Sequence, residues 1–248
     1  MFYDEHWEKL NDINKLSRTS KDTYDQAPRF IPSNMQKRIR EDYADMINIL
    51  TKYKRFKTFL NDIQIRIRFF DDSDEYDVIE FGYPHTVRNT ICLPSSLYSE
   101  LNKERRVKLL LHESIHIYQR NFAFEFNKFL TEEFDLSIIN FMKCLHSNSR
   151  YNPDINDIVY ADDGLYRVMI YNSTNPTSLE DSKLLEKRFV PKTRRGSKYE
   201  AIIHHFKRSG IQTEHPYEVF ACVLSDYMYS RNCTCELCMI LHNWLSKD

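Results

Sequence analysis

Residues 107–120 read Val-Lys-Leu-Leu-Leu-His-Glu-Ser-Ile-His-Ile-Tyr-Gln-Arg, and this stretch carries His112-Glu113-x-x-His116. On an α-helix, positions i and i+4 lie one turn apart on one face, so both imidazoles can reach a single cation. Zinc suits such donors, and with three protein ligands it keeps a fourth position for water, whose pKa it lowers toward about 7. Glu113, beside the first histidine, is then placed to take that water's proton. Leu109, Leu110, Leu111, Ile115 and Ile117 give the motif apolar surroundings, and no Pro or Gly interrupts 95–150. Two imidazoles and a carboxylate facing a helical interior need a shared partner, and a cation supplies one.

A third protein ligand must come from elsewhere in the chain. In the arrangement His-Glu-x-x-His-x-x-Gly-x-x-His a glycine turns the chain toward a third histidine, but here those places hold Gln119 and Phe122. The candidates are Glu218, Glu214, the pair Glu132 and Glu133, and Asp162 or Asp163. Glu218 stands out by its setting. Pro216 suits the first turn of a helix, and Val219, Phe220, Val223 and Leu224 give that helix an apolar side.

His112-Glu113-Ser-Ile-His116 on one helix, with Pro216-Tyr-Glu218-Val-Phe-Ala221 opening a later one, resembles the gluzincin branch of the zincin metallopeptidases. The resemblance covers about 85–125 and 214–230. It implies that His112, His116 and Glu218 bind Zn2+ and that Glu113 activates water for peptide-bond hydrolysis, with a peptide or protein as substrate. It also implies a Tyr or His that stabilises the oxyanion, for which His204, His205, His215, Tyr217 and Tyr227 are available. An edge strand that binds extended peptide is implied shortly before the motif helix, and Asn89-Thr-Ile-Cys-Leu93 is similar in place and character. Two features differ from the family pattern. The span from His116 to Glu218 is long, and Cys222 stands where many members have an acidic residue orienting a zinc-bound histidine, a task that Asp226 is near enough in sequence to take.

Two further groups carry potential chemistry. Cys233, Cys235 and Cys238 with His242 can form a small second zinc site of three thiolates and one imidazole, since Cys238 and His242 are one helical turn apart. Lys187, Arg188, Lys192, Arg194, Arg195 and Lys198 make an acid-free basic loop across 187–198, either a solvated surface or a contact for nucleic acid. Rival functions follow: a nucleic-acid-binding module with structural zinc, or a non-catalytic descendant of a peptidase whose metal has a fourth protein ligand.

These residues need elements to position them. Ser33-x-x-Gln36 is a capping-box pattern, and Ile39, Tyr43, Met46, Ile47, Leu50 and Tyr53 follow at helical spacing, so the pattern predicts one amphipathic helix over 33–60. Ile63, Ile65, Ile67 and Phe69 then alternate with Gln64, Arg66 and Arg68, the period of a strand. The acidic run 71–77 lacks the glycine and spacing of a calcium loop and reads as a solvated turn. Residues 78–83 and 87–93 read as two more strands, the second stopped by Pro94. Helix is predicted from Ser95 to about 146, strand-like pieces at 157–160 and 165–171, and helices from Pro216 to about Arg231 and over 236–246. The order predicts an α+β fold. By the resemblance it is zincin-like: a small mixed sheet with its edge strand before the motif helix, then a mostly helical lobe. Residues 1–60 form an N-terminal helical segment on a domain of 61–248, or the two are one continuous domain.

With 248 residues, 42% hydrophobic and 29% charged, the chain can bury a substantial core. A net charge of −1 implies neither a polyanion partner nor a membrane surface, and no apolar run approaches the ~18 residues of a membrane span. The opening Met-Phe-Tyr-Asp-Glu-His-Trp-Glu is too polar for a secretory signal. The expectation is therefore cytoplasmic, with crowded rather than spread cysteines. Frequent Asn, Ile, Lys, Phe and Tyr fit an AT-rich coding genome, such as that of a large DNA virus, for which the compartment is the host cytoplasm, or of an AT-rich parasite.

Overall fold

Seven consecutive residues, Glu113 to Gln119, are buried in the motif helix. A helix buried on every side must lie at the centre of its fold rather than on its surface. The computed structural model describes residues 33–70, 83–139, 149–150, 152, 154–155, 158–173, 181–189, 196–206, 213–230 and 233–247. Among these residues the central helix is the fourth helix, preceded by three helices and three strands. They are α1 (Ser33–Leu50), α2 (Lys54–Asp62), β1 (Arg66–Phe70), β2 (His85–Val87), β3 (Thr90–Pro94) and α3 (Ser95–Glu100), followed by the motif helix α4 (Lys103–Asn121). Asn102 caps α4 by accepting a hydrogen bond from the Arg105 N–H at 2.9 Å, which satisfies one of the helix's unpaired first-turn donors.

The long helix expected over 33–60 is two helices. The backbone at Tyr53 is extended, with φ −110° and ψ 126°, and α2 begins after it. The break turns α2 so that Phe56 and Phe59 join Leu50 and Tyr53 in the core. It is inconspicuous in sequence because Thr51-Lys52-Tyr53 contains neither Gly nor Pro. A buried ion pair fixes α1 to the start of α4. Asp42 Oδ2 accepts from Arg106 Nε at 2.6 Å and from the Tyr98 hydroxyl at 2.7 Å, while Arg106 Nη1 donates to the Leu101 carbonyl at 2.7 Å.

The first sheet has the order β1-β3-β2, with β1 parallel and β2 antiparallel to β3, so it is small and mixed as expected. Its strand assignment differs from the sequence reading. Residues 87–93 are a hairpin turn and a strand: Val87 pairs with Thr90, leaving Arg88-Asn89 as a two-residue turn with Arg88 at φ +52°. Such turns usually advertise themselves by glycine; here α4 holds the turn, through Arg120 Nη1 to the Arg88 carbonyl at 2.8 Å and Asn121 to Asn89 at 3.2 Å. Consequently 90–94 is the central strand, not an edge, and among the described residues the edges are β1 and β2. The acidic turn at 71–77 and most of the strand expected at 78–83 lie outside the described residues.

Beyond α4 come α5 (Ala123–Phe134), β4 (Ser137–Ile139), β5 (Val159–Asp162), β6 (Leu165–Tyr171), β7 (Ser182–Arg188), α6 (Lys198–Phe206), α7 (Pro216–Ser230) and α8 (Glu236–Ser246). Of the helices expected to reach about 146, α5 ends at Phe134, where Asp135 takes a left-handed conformation at φ +57°, and 140–146 lie outside the described residues. Residues 137–139 are strand instead, although Leu136, Ile138 and Ile139 gave no period to separate them from a helix. β4 to β7 form an antiparallel sheet in sequence order, so a second small sheet accompanies the helices that follow α4. Asp162 pairs with Leu165, and Asp163 and Gly164 at φ +47° and +76° make the two-residue turn between β5 and β6.

One aromatic-rich core joins these parts. Phe126, Phe129 and Phe134 of α5 pack with Phe220 of α7, and Trp244 of α8 stacks on Phe129 with centroids 4.4 Å apart. Residues from α1 through α8 contribute to the same cluster. The fold is α+β. No helix among the described residues is long and apolar enough to cross a membrane.

Candidate metal centre

α7 packs across α4 so that its first turn faces the middle of the motif. There His112 Nε2 and His116 Nε2 lie 3.0 Å apart, and Glu218 Oε2 lies 3.5 Å from the first and 3.4 Å from the second. Atoms bound tetrahedrally to zinc at about 2.0–2.2 Å stand about 3.3–3.5 Å from one another. The two separations to Glu218 match that spacing and the one between the imidazoles is about 0.3 Å shorter, and two imidazoles and a carboxylate are chemically apt for that ion. The side chains of His116 and Glu218 are almost wholly buried, whereas His112 keeps 20% of its side chain exposed and marks the side open to water.

Each candidate ligand is held from behind. His116 Nδ1 donates to Gln119 Oε1 at 2.8 Å, which leaves Nε2 with its lone pair toward the cluster, and Gln119 Nε2 donates to the Tyr217 carbonyl of α7 at 2.9 Å. His112 Nδ1 lies 3.6 Å from Cys222 Sγ. The cysteine thus occupies the position behind His112, and Asp226 is engaged elsewhere, pairing with Lys108 Nζ at 3.1 Å. Asn152 Nδ2 donates to Glu218 Oε1 at 2.6 Å, so one carboxylate oxygen is secured and the other faces the imidazoles.

Burial works to depress both histidines, but it is outweighed. The Cys222 sulfur and the Glu218 carboxylate raise His112 well above its ordinary value, and Glu218 raises His116. Burial likewise works to raise Glu218, and the two imidazoles overcome it and hold the carboxyl well below the usual range. Glu113 goes the other way: burial, helped by the Asp154 carboxylate, pushes it up to about 8. Its Oε2 is buried without a hydrogen-bond partner. An orphaned carboxylate oxygen beside three convergent donors is costly unless a cation or a bound water completes its surroundings.

The remaining ligand candidates stand apart from this cluster. Glu214 accepts from Asn152 at 3.1 Å and lies 3.7 Å from Arg150. Glu132 is exposed and pairs with Lys128, Asp162 accepts from Ser197 Oγ at 2.6 Å, and Asp163 is in the β5–β6 turn. Glu133, in the last turn of α5, is absent from the convergent group. Among the suggested oxyanion donors, His215 caps α7 through its Nδ1, which accepts from the Tyr217 N–H at 3.1 Å, while Nε2 donates to the Ile158 carbonyl at 2.8 Å. The Tyr217 hydroxyl donates to Asn127 Oδ1 at 2.8 Å, Tyr227 is a core residue, His204 is exposed, and His205 belongs to the cysteine group described next.

Cys233, Cys235 and Cys238 converge with His205, not with His242. His242 is exposed one turn further along α8, and the imidazole that reaches the sulfurs comes from the end of α6, a helix the sequence reading did not anticipate. Of the basic loop, Lys187 and Arg188 end β7 and Lys198 opens α6, while Lys192, Arg194 and Arg195 lie outside the described residues. Sequence reasoning also missed Gln119, Asn152 and Asp154. Gln119 had a signal, three residues after His116 on one helix face; Asn152 and Asp154 lie in irregular chain with none. Asp154 Oδ1 accepts both the Thr86 N–H at 2.7 Å and the Thr86 hydroxyl at 2.5 Å, tying this segment to edge strand β2.

The chain matches no family model, no curated protein and no solved structure with which it was compared.

Proposed function

We propose that the chain is a zinc-dependent metallopeptidase of the gluzincin type, hydrolysing peptide bonds in a zincin-like fold. The observation that carries this reading is the convergence of His112 Nε2, His116 Nε2 and Glu218 Oε2, with the unpartnered Glu113 oxygen nearby in sequence and buried. When bound, zinc supplies Lewis acidity, lowering the pKa of a water toward about 7 and polarising a carbonyl. The protein's own residues do the rest. Glu113 accepts a proton from the attacking water and delivers it to the departing amine, a general acid–base role that contributes on the order of 10²–10⁴-fold. Gln119, Cys222 and Asn152 orient His116, His112 and Glu218 respectively.

The cluster offers three ligand atoms among the described residues, which favours an open catalytic site over one closed by a fourth protein ligand. Substrate along β2 must contend with Asp154, which already occupies the Thr86 N–H. A pool of quenched fluorescent peptides, incubated with zinc-loaded wild type and with Glu113→Gln, tests the proposal. Hydrolysis by the wild type and its loss in a variant that keeps fold and metal is the expected result. Equal hydrolysis by both would reject Glu113 as the base.

A further inference from the structure

Far along the chain from the motif, α6 ends beside the start of α8. His205 Nε2 lies 3.2 Å from Cys233 Sγ and 3.8 Å from the Sγ atoms of both Cys235 and Cys238, and the Cys233 and Cys235 sulfurs are 3.2 Å apart. Donors around tetrahedral zinc, at about 2.3 Å for sulfur and about 2.0 Å for nitrogen, are separated by about 3.5–3.8 Å. Cys233 and Cys238 are joined as a disulfide in the structure. That bond involves two of the four donors. It gives no reason for His205 and Cys235, from different elements, to converge on the same point.

Cys235 is the N-cap of α8 but makes no side-chain capping hydrogen bond; its sulfur instead lies against Cys233 Sγ and His205 Nε2. We propose that, in the reduced chain, His205, Cys233, Cys235 and Cys238 form a structural zinc site of three thiolates and one imidazole. Reduction by a dithiol transfers two electrons and two protons to the disulfide and leaves the dithiol oxidised. Zinc binding then releases the three thiol protons. The site fastens the end of α6 to the start of α8, the two elements that flank α7 in the chain, and α7 carries Glu218.

The test is zinc per chain in full-length protein purified under reducing conditions. Two ions are expected in the wild type. One should remain in Cys235→Ser and one in His205→Ala, lost from this site, and one in His112→Ala, lost from the other, so the two sites fail or survive independently. Should a cysteine variant not fold, cobalt added to reduced, metal-free wild type gives the same answer: an intense thiolate-to-cobalt absorption is expected. Absence of that absorption, or zinc content unchanged by Cys235→Ser, overturns the proposal.

Discussion

The amide of Gln119 bonds His116 with its oxygen and the Tyr217 carbonyl with its nitrogen. It therefore sets the tautomer of one candidate ligand and ties it to the helix that carries another. Gln119→Leu keeps the volume but removes both bonds. Zinc affinity, measured by competition with a chelator, should fall about 10- to 100-fold, with the circular dichroism spectrum retained; unchanged affinity would contradict the orienting role. His215 makes a different prediction. Burial lowers it to about 4, and its neutral form both accepts at Nδ1 to cap α7 and donates at Nε2. Because the folded value lies below the unfolded 6.5, the unfolded chain binds the proton more readily, and stability is full above about pH 6.5 and declines as pH falls toward 4. A shift of this size corresponds to roughly 3 kcal/mol. Urea denaturation of wild type and His215→Asn at pH 7 and pH 4.5 should show the gap between them narrowing at the lower pH. A gap independent of pH would exclude this role.

At the scale of elements, the motif helix is held by pairs that cross between helices. Arg106 on α4 and Asp42 on α1 are both buried, and Arg106→Met would leave the Asp42 carboxylate without its cation, the Tyr98 hydroxyl still donating to it. Breaking one side of such a pair typically costs about 3–5 kcal/mol, and the double variant Asp42→Leu, Arg106→Met should recover much of the loss in urea denaturation. If the single and double variants were equally destabilised, the buried charge would not be the cause. Helices α4, α7 and α8 were legible in the sequence because their apolar residues recur at helical spacing, with Pro216 opening α7. The α1–α2 break, the Arg88-Asn89 turn and β4 were not, since each lacks the Gly or Pro that punctuates a chain. Tertiary contacts, such as those from Arg120 and Asn121 to the turn, specify them instead.

For the whole molecule, the informative distance is between His116 and Glu218, remote in sequence and 3.4 Å apart in space. The residues that converge here could be singled out in the chain, because His-Glu-x-x-His and Pro-Tyr-Glu each mark a helix face. The partners behind them were not, since Asn152 reaches Glu218 from irregular chain and His205 reaches the cysteines from an unanticipated helix. One core takes residues from α1 through α8, so a metal ion bound at the α4–α7 crossing would bear on the stability of the helices it unites. Anomalous diffraction from crystals of the zinc-loaded protein, recorded at the zinc absorption edge, addresses the α4–α7 site alone. A peak about 2.0–2.2 Å from His112 Nε2, His116 Nε2 and Glu218 Oε2 is the predicted result; no density above noise between those three atoms would contradict the account.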